Sequence, residues 1–167
     1  PSPDGEIEEA TRSSDPKLSE LKLNRTKFVV QSYLRRVSDR PTDMGLRFEL
    51  GRGLYQLGEN DKAIAEFQQS VKDPKRKRES HILLGMAFQR KRLFDMADTQ
   101  YAKAEEEAGG VLSQATLLSI WYNRMLCNAE AGKKDAAIAL GKKIMEQDIS
   151  YRDTSAKVEE WSANGAS

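Results

Sequence analysis

A period of 34 residues constrains this chain more than anything else in it. Leu50-Gly51 recurs as Leu84-Gly85, Leu54 as Phe88, Asp61 as Asp95, Ala63 as Ala97, Phe67 as Tyr101 and Ser70 as Ala104, each step being 34 residues. A unit that short cannot bury a core of its own and gains stability by stacking on further copies. Within each unit the apolar residues recur at helical spacing and divide around a turn. The spacing predicts helices over about 44–57 and 61–72, parted by Gly58-Glu59-Asn60 and closed before Pro74. A copy follows over 78–108, with Lys91-Arg92-Leu93-Phe94 as its turn. Leu50, Gly51 and Leu54 should then face Ala63, Phe67 and Ser70. Glycine inside a helix costs about 1 kcal/mol relative to alanine, so Gly51 and Gly85 imply a packing reason. Two helices cross closely only where one side chain is nearly absent. Asp61 and Asp95 open the second helices and set negative charge at the positive end of the helix dipole.

Leu-Gly, three residues to Leu or an aromatic, nine more to Ala and four more to an aromatic resembles the tetratricopeptide-repeat (TPR) pattern. The resemblance is to bacterial-type members and implies an all-α, right-handed superhelix of antiparallel helix pairs, an α-solenoid. Trp121-Tyr122-Asn123 followed by Gly132, Asp135, Ala137 and Ile138 is similar to the same consensus, with Trp121 at position 4. That anchor starts a third repeat at Leu118, 40 residues after Arg78, so six extra residues fall around Glu106–Leu117, where Gly109-Gly110 breaks the preceding helix. This repeat carries Met125 where glycine is usual and Gly141 where the aromatic is usual, a trade that would conserve volume across the pair.

The flanks complete the division. Residues 1–17 are acidic and polar and read as a disordered tail. Residues 18–40 read as the second helix of a truncated preceding repeat, with Leu21, Phe28, Val29, Tyr33 and Leu34 as its apolar set. Counted from Met44 as position 1, Val29 and Tyr33 fall at positions 20 and 24 of that repeat, and Pro41 at position 32. Pro41-Thr42-Asp43 ends the helix and caps the next. The repeats then span 41–77, 78–112 and 113–150. A capping helix over 151–162 would cover the stack with Ala156, Val158 and Trp161, and 163–167 would fray. The chain opens Pro-Ser-Pro-Asp rather than with Met, which suits a segment of a longer array.

Charge and chemistry narrow the function. Lys plus Arg number 27 against 26 for Asp plus Glu, a net charge of +1 that lacks the basic excess of a general nucleic-acid binder. One cysteine, Cys127, excludes an internal disulfide framework and fits a reducing compartment such as the cytoplasm. No run reaches the roughly 18 apolar residues that cross a membrane. His81 has no cysteine or acid at useful helical spacing, and Cys127 reads as a buried, inert thiol. No metal-ligand or phosphate-cradling pattern is present, so no catalytic residue, metal or cofactor is assigned. Glu105-Glu106-Glu107 reads as a solvated face. The basic run Lys72, Lys75, Arg76, Lys77 and Arg78 reads as a charged turn, with weak binding of RNA or an acidic polymer as the rival.

The resemblance directs attention to the first helix of each repeat, which lines the concave side of a TPR superhelix. Positions 2, 5, 9 and 12 share one face. They are Gly45, Phe48, Arg52 and Tyr55, then Glu79, Ile82, Met86 and Gln89 with Arg90 adjacent, then Ser119, Tyr122, Leu126 and Ala129. The expected partner-binding set is Phe48, Arg52, Tyr55, Ile82, Met86, Gln89, Arg90, Tyr122 and Leu126, suited to a protein or peptide partner. Co-chaperone TPR domains carry Lys at position 5 and Asn at position 9 of the first groove helix, whereas this chain has Phe48 and Arg52. The departure argues against a chaperone carboxylate as ligand. Homo-oligomerisation through the exposed half-repeat is the other reading.

Overall fold

The computed structural model describes residues 16–107 and 112–165, and among them every regular element is helical. In chain order these are α1 (Pro16–Asp39), α2 (Met44–Gln56), α3 (Asn60–Ser70), α4 (Lys77–Arg90), α5 (Phe94–Glu106), α6 (Gln114–Glu130), α7 (Lys134–Gln147) and α8 (Thr154–Asn164). Expectations about the N-terminal tail, the Gly109-Gly110 break and the last two residues lie outside the described residues. The chain forms two units, Pro1–Arg76 and Lys77–Ser167. In the first, α2 packs on both α1 and α3; in the second, each of α4 to α7 packs on the next helix in sequence.

The three hairpin turns show why the sequences repeat. Two residues past the end of each first helix comes a residue with positive φ: Gly58 (+77°), Arg92 (+60°) and Gly132 (+79°). Each turn then returns a backbone bond five residues back, Glu59 N to Leu54 O at 3.0 Å, Leu93 N to Phe88 O at 3.0 Å and Lys133 N to Asn128 O at 2.8 Å. Carbonyls that the helix end would orphan are satisfied this way. Arg92 does without Cβ-free backbone what Gly58 and Gly132 do with it, in a region that costs an L-residue about 1 kcal/mol.

At the crossings, a Cβ on Gly51 would lie 2.7 Å from Phe67 Cε1, and one on Gly85 2.8 Å from Tyr101 Cε1. Phe67, Tyr101, Ala63 and Ala97 are all fully buried. The glycines are where the aromatic rings fit. In the third hairpin Met125 is also fully buried, and its Sδ would stand 3.2 Å from a Cβ on Gly141. That Cβ would also overlap Val158 of α8.

Three local expectations are corrected. Helix α1 turns Val30 and Val37 inward, while Phe28 (71% exposed), Val29 and Leu34 face out. Val30 wins because Gly53 of α2 leaves room for it, a Cβ there falling 2.7 Å from Val30 Cγ2. Helix α6 starts at Gln114, four residues before Leu118, with Ser113 Oγ accepting from Thr116 N at 3.1 Å. Part of the insertion is therefore an added helical turn. On α8 the inward residues are Thr154 and Val158, while Ala156 is exposed and Trp161 half-buried.

Candidate partner-binding surface

In the first unit, α2 carries the expected residues but does not present them equally. Phe48 is fully buried, its ring 6.0 Å from that of Phe67, with the Arg76 guanidinium 5.0 Å from its centroid. Arg52 lies over the same ring at 6.0 Å, yet its side chain stays 48% exposed and meets Glu49 at 3.5 Å. Tyr55, one turn on, is half-buried. The face that solvent meets is thus Arg52 and Tyr55, with Phe48 as their support.

In the second unit, Ile82 and Met86 of α4 are half-buried and Arg90 is exposed. Gln89 accepts a hydrogen bond from the Tyr101 hydroxyl at 2.8 Å. The residue expected to read a partner therefore also closes the α4–α5 hairpin. On α6, Leu126 is half-buried but Tyr122 is buried. Its hydroxyl donates to Asp153 Oδ1 at 2.6 Å, Tyr151 stands edge-on at 5.9 Å, and Arg152 stacks 4.7 Å above its ring. Burial, then the hydrogen bond to Asp153, pushes the Tyr122 phenol up to about 12, while the same bond holds the Asp153 carboxyl below its ordinary range. Tyr122 fastens α6 to the turn before α8.

Sequence reasoning missed a polar network between α5 and α6. Arg124 donates to Asp98 Oδ1 and Glu105 Oε2, both at 2.9 Å; Trp121 Nε1 reaches Glu105 Oε1 at 3.0 Å; Asn128 Nδ2 reaches Asp98 Oδ1 at 3.0 Å. Glu105 is therefore not part of a solvated run. Glu107 is engaged too, pairing with Lys77 at 2.7 Å and receiving Arg78 on its carbonyl, and the Lys77 hydrogen bond lowers its carboxyl pKa. No period flags these contacts, because the residues occur once.

Neither group with catalytic potential stands ready. Cys127 is fully buried, and desolvation, helped by Asp98 and Glu130, pushes its thiol up to about 12, so it is protonated at neutral pH. His81 is buried with Nδ1 2.8 Å from Gln100 Oε1. Among the described residues no group of three His, Cys, Asp or Glu side chains could hold a metal, and no helix is long and apolar enough to cross a membrane. In the basic run, Arg76 covers Phe48, while Lys77 and Arg78 meet Glu107 and the end of α5.

No protein-family model matches this sequence, and no curated protein matches it. Solved structures do. The chain is similar to MamA, with a TM-score of 0.74 and 15% identity, covering 90% of this chain and 85% of the other. A second MamA structure gives 0.65 and 18%, covering 79% and 70%. At such identity the likeness shows the fold: this chain is a TPR-like helical repeat protein, all-α and built of sequential helix pairs.

Proposed function

We propose that this chain is a non-enzymatic interaction scaffold that binds extended or helical protein segments on the first helices of its repeats, α2 in the first unit and α4 and α6 in the second. The carrying observation is the company, on α2 and on α4, of an exposed arginine and half-buried side chains with apolar surface. Arg52 stands beside Tyr55, and Arg90 lies on the same helix as Ile82 and Met86. Such a surface offers charge to steer an approaching segment and apolar area to hold it. Arginine favours carboxylates, so the segment is acidic. Phe48 supports the first unit's face from beneath; in the second unit Tyr122 is buried, and Gln89 and Leu126 are half-buried.

The test is affinity capture with the chain, followed by mass spectrometry and titration of what is captured. An Arg52→Glu/Arg90→Glu variant should keep its circular dichroism and lose about tenfold or more in affinity for an acidic partner, the scale of one or two charged hydrogen bonds. Undiminished affinity would make the two arginines bystanders.

A further inference from the structure

A second surface lies on α1 of the first unit. Lys22, Thr26, Val29, Tyr33 and Arg36 follow one another at alternating four- and three-residue steps and so share a stripe of the helix, with Arg40 just past its end. The adjoining stripe, with Val30 and Val37, is the one buried against α2. Position 20 of the repeat shows what the first stripe lacks. Its occupants in the three full repeats, Ala63, Ala97 and Ala137, are all 0% exposed because each second helix packs on its own first helix, whereas Val29 is 37% exposed. Position 24 repeats the contrast: Phe67 and Tyr101 are 0% exposed, Tyr33 only half-buried.

An open cleft of about 740 Å³ lies here, bounded by Lys22, Leu23, Arg25, Val29 and Gln56. It borders the part of α1 that overhangs α2, since 24 residues at about 1.5 Å each outreach 13. The three charged residues on or directly beside the stripe between Lys22 and Arg36 are basic, Lys22, Arg25 and Arg36, and Arg40 follows. Of the two acids of α1, Glu20 falls outside it, and Asp39 stands only at its end, beside Arg36 and Arg40. Arg36 also lies 5.1 Å from the Tyr33 ring centroid, which holds one cation at the edge of the apolar centre.

We propose that this stripe is a docking site for an acidic amphipathic helix of a partner protein, which takes the place that a first helix takes in every full repeat. The repeat geometry specifies a helix, the exposed valine and half-buried tyrosine specify an apolar face, and the cations specify carboxylates flanking it. A second copy of α1 would set like charges against each other, so it fits less well.

The probe is a synthetic helix with leucines at i, i+4, i+7 and i+11 and flanking glutamates, followed by fluorescence anisotropy on the whole chain. Two controls carry lysine flanks, or serines in place of the leucines. The glutamate–leucine peptide should bind, weaken as salt rises, and lose tenfold or more with Val29→Glu or with Arg25→Glu/Arg36→Glu. These surface changes should leave the circular dichroism unchanged. The Arg52→Glu/Arg90→Glu chain should bind the probe as well as the parent does, which separates this site from the proposed function. No binding, or equal binding of the lysine-flanked peptide, overturns the proposal. So does a concentration-dependent dimer abolished by Val29→Glu, which assigns the stripe to a second copy. A tenfold affinity gain on removing residues 1–15 also overturns it, by assigning the stripe to the chain's own N-terminal segment.

Discussion

The first two hairpins and the third solve one packing problem in opposite ways. In α2–α3 and α4–α5 the small residue sits on the first helix, and the ring of Phe67 or Tyr101 lies over Gly51 or Gly85. In α6–α7 the bulk, Met125, is on the first helix and the glycine, Gly141, on the second. The trade looks like simple conservation of volume. It is more than that, because Gly141 also admits Val158 from α8, a neighbour outside the hairpin. Where the gap falls decides which element fills it, and the third repeat uses its gap to seat the terminal helix.

The comparison breaks most visibly if the third hairpin is rewritten as the first two. Met125→Gly combined with Gly141→Phe keeps the volume of the pair but drives a ring into Val158. It should cost about 4 kcal/mol or more by urea denaturation, a cavity and an overpacked site together. A neutral result would mean that volume alone matters. Gly85→Leu attacks the other arrangement, where the Tyr101 ring is fully buried and cannot retreat. It should cost about 1–3 kcal/mol, read from the same denaturation curves, and no loss would detach Gly85 from Tyr101.

A smaller effect, of opposite sign, comes from the turns. Arg92→Gly should stabilise by about 1 kcal/mol by relieving positive φ. The exposed Arg92–Glu130 pair, at 3.4 Å, is worth little in solution. A loss of stability would show that the pair, or the Arg92 stacking on Phe94, outweighs the backbone.

The smallest effect is confined to alkaline pH. The Tyr122 phenol is held up to about 12, above its ordinary value near 10, so folding favours the protonated form. Its contribution is whole below pH 10 and disappears as pH rises towards 12. Tyr122→Phe should flatten that part of a stability–pH profile, and an unchanged slope would place the alkaline loss elsewhere.

Most of the fold was legible because it repeats. Leu50-Gly51 and Leu84-Gly85, each with its aromatic partner, state the same crossing twice, and the displaced third copy keeps its turn at Gly132. The apolar set of α1 was misread for the converse reason. Its inward face is chosen by Gly53, whose signal is the absence of a side chain on another helix, while Phe28 and Leu34 look like core by composition alone. The candidate site was legible as a helix face and less so as a list. The shared face alone does not separate Arg52, which remains exposed, from Phe48 beneath it, because burial at position 5 depends on Phe67 and Arg76 from other elements. The Arg124–Asp98–Glu105 network joins residues of two different repeats, and no period could announce it.

The central claim, that a missing side chain on one helix makes room for a ring on the next, is tested most directly by a double-mutant cycle between Gly51 and Phe67. Gly51→Ala should destabilise the native chain and cost little once Phe67→Leu has removed the ring, a coupling of about 1–2 kcal/mol. If the two substitutions instead add, with Gly51→Ala costing the same in both backgrounds, the ring does not occupy the space the glycine leaves and the account of these hairpins is wrong.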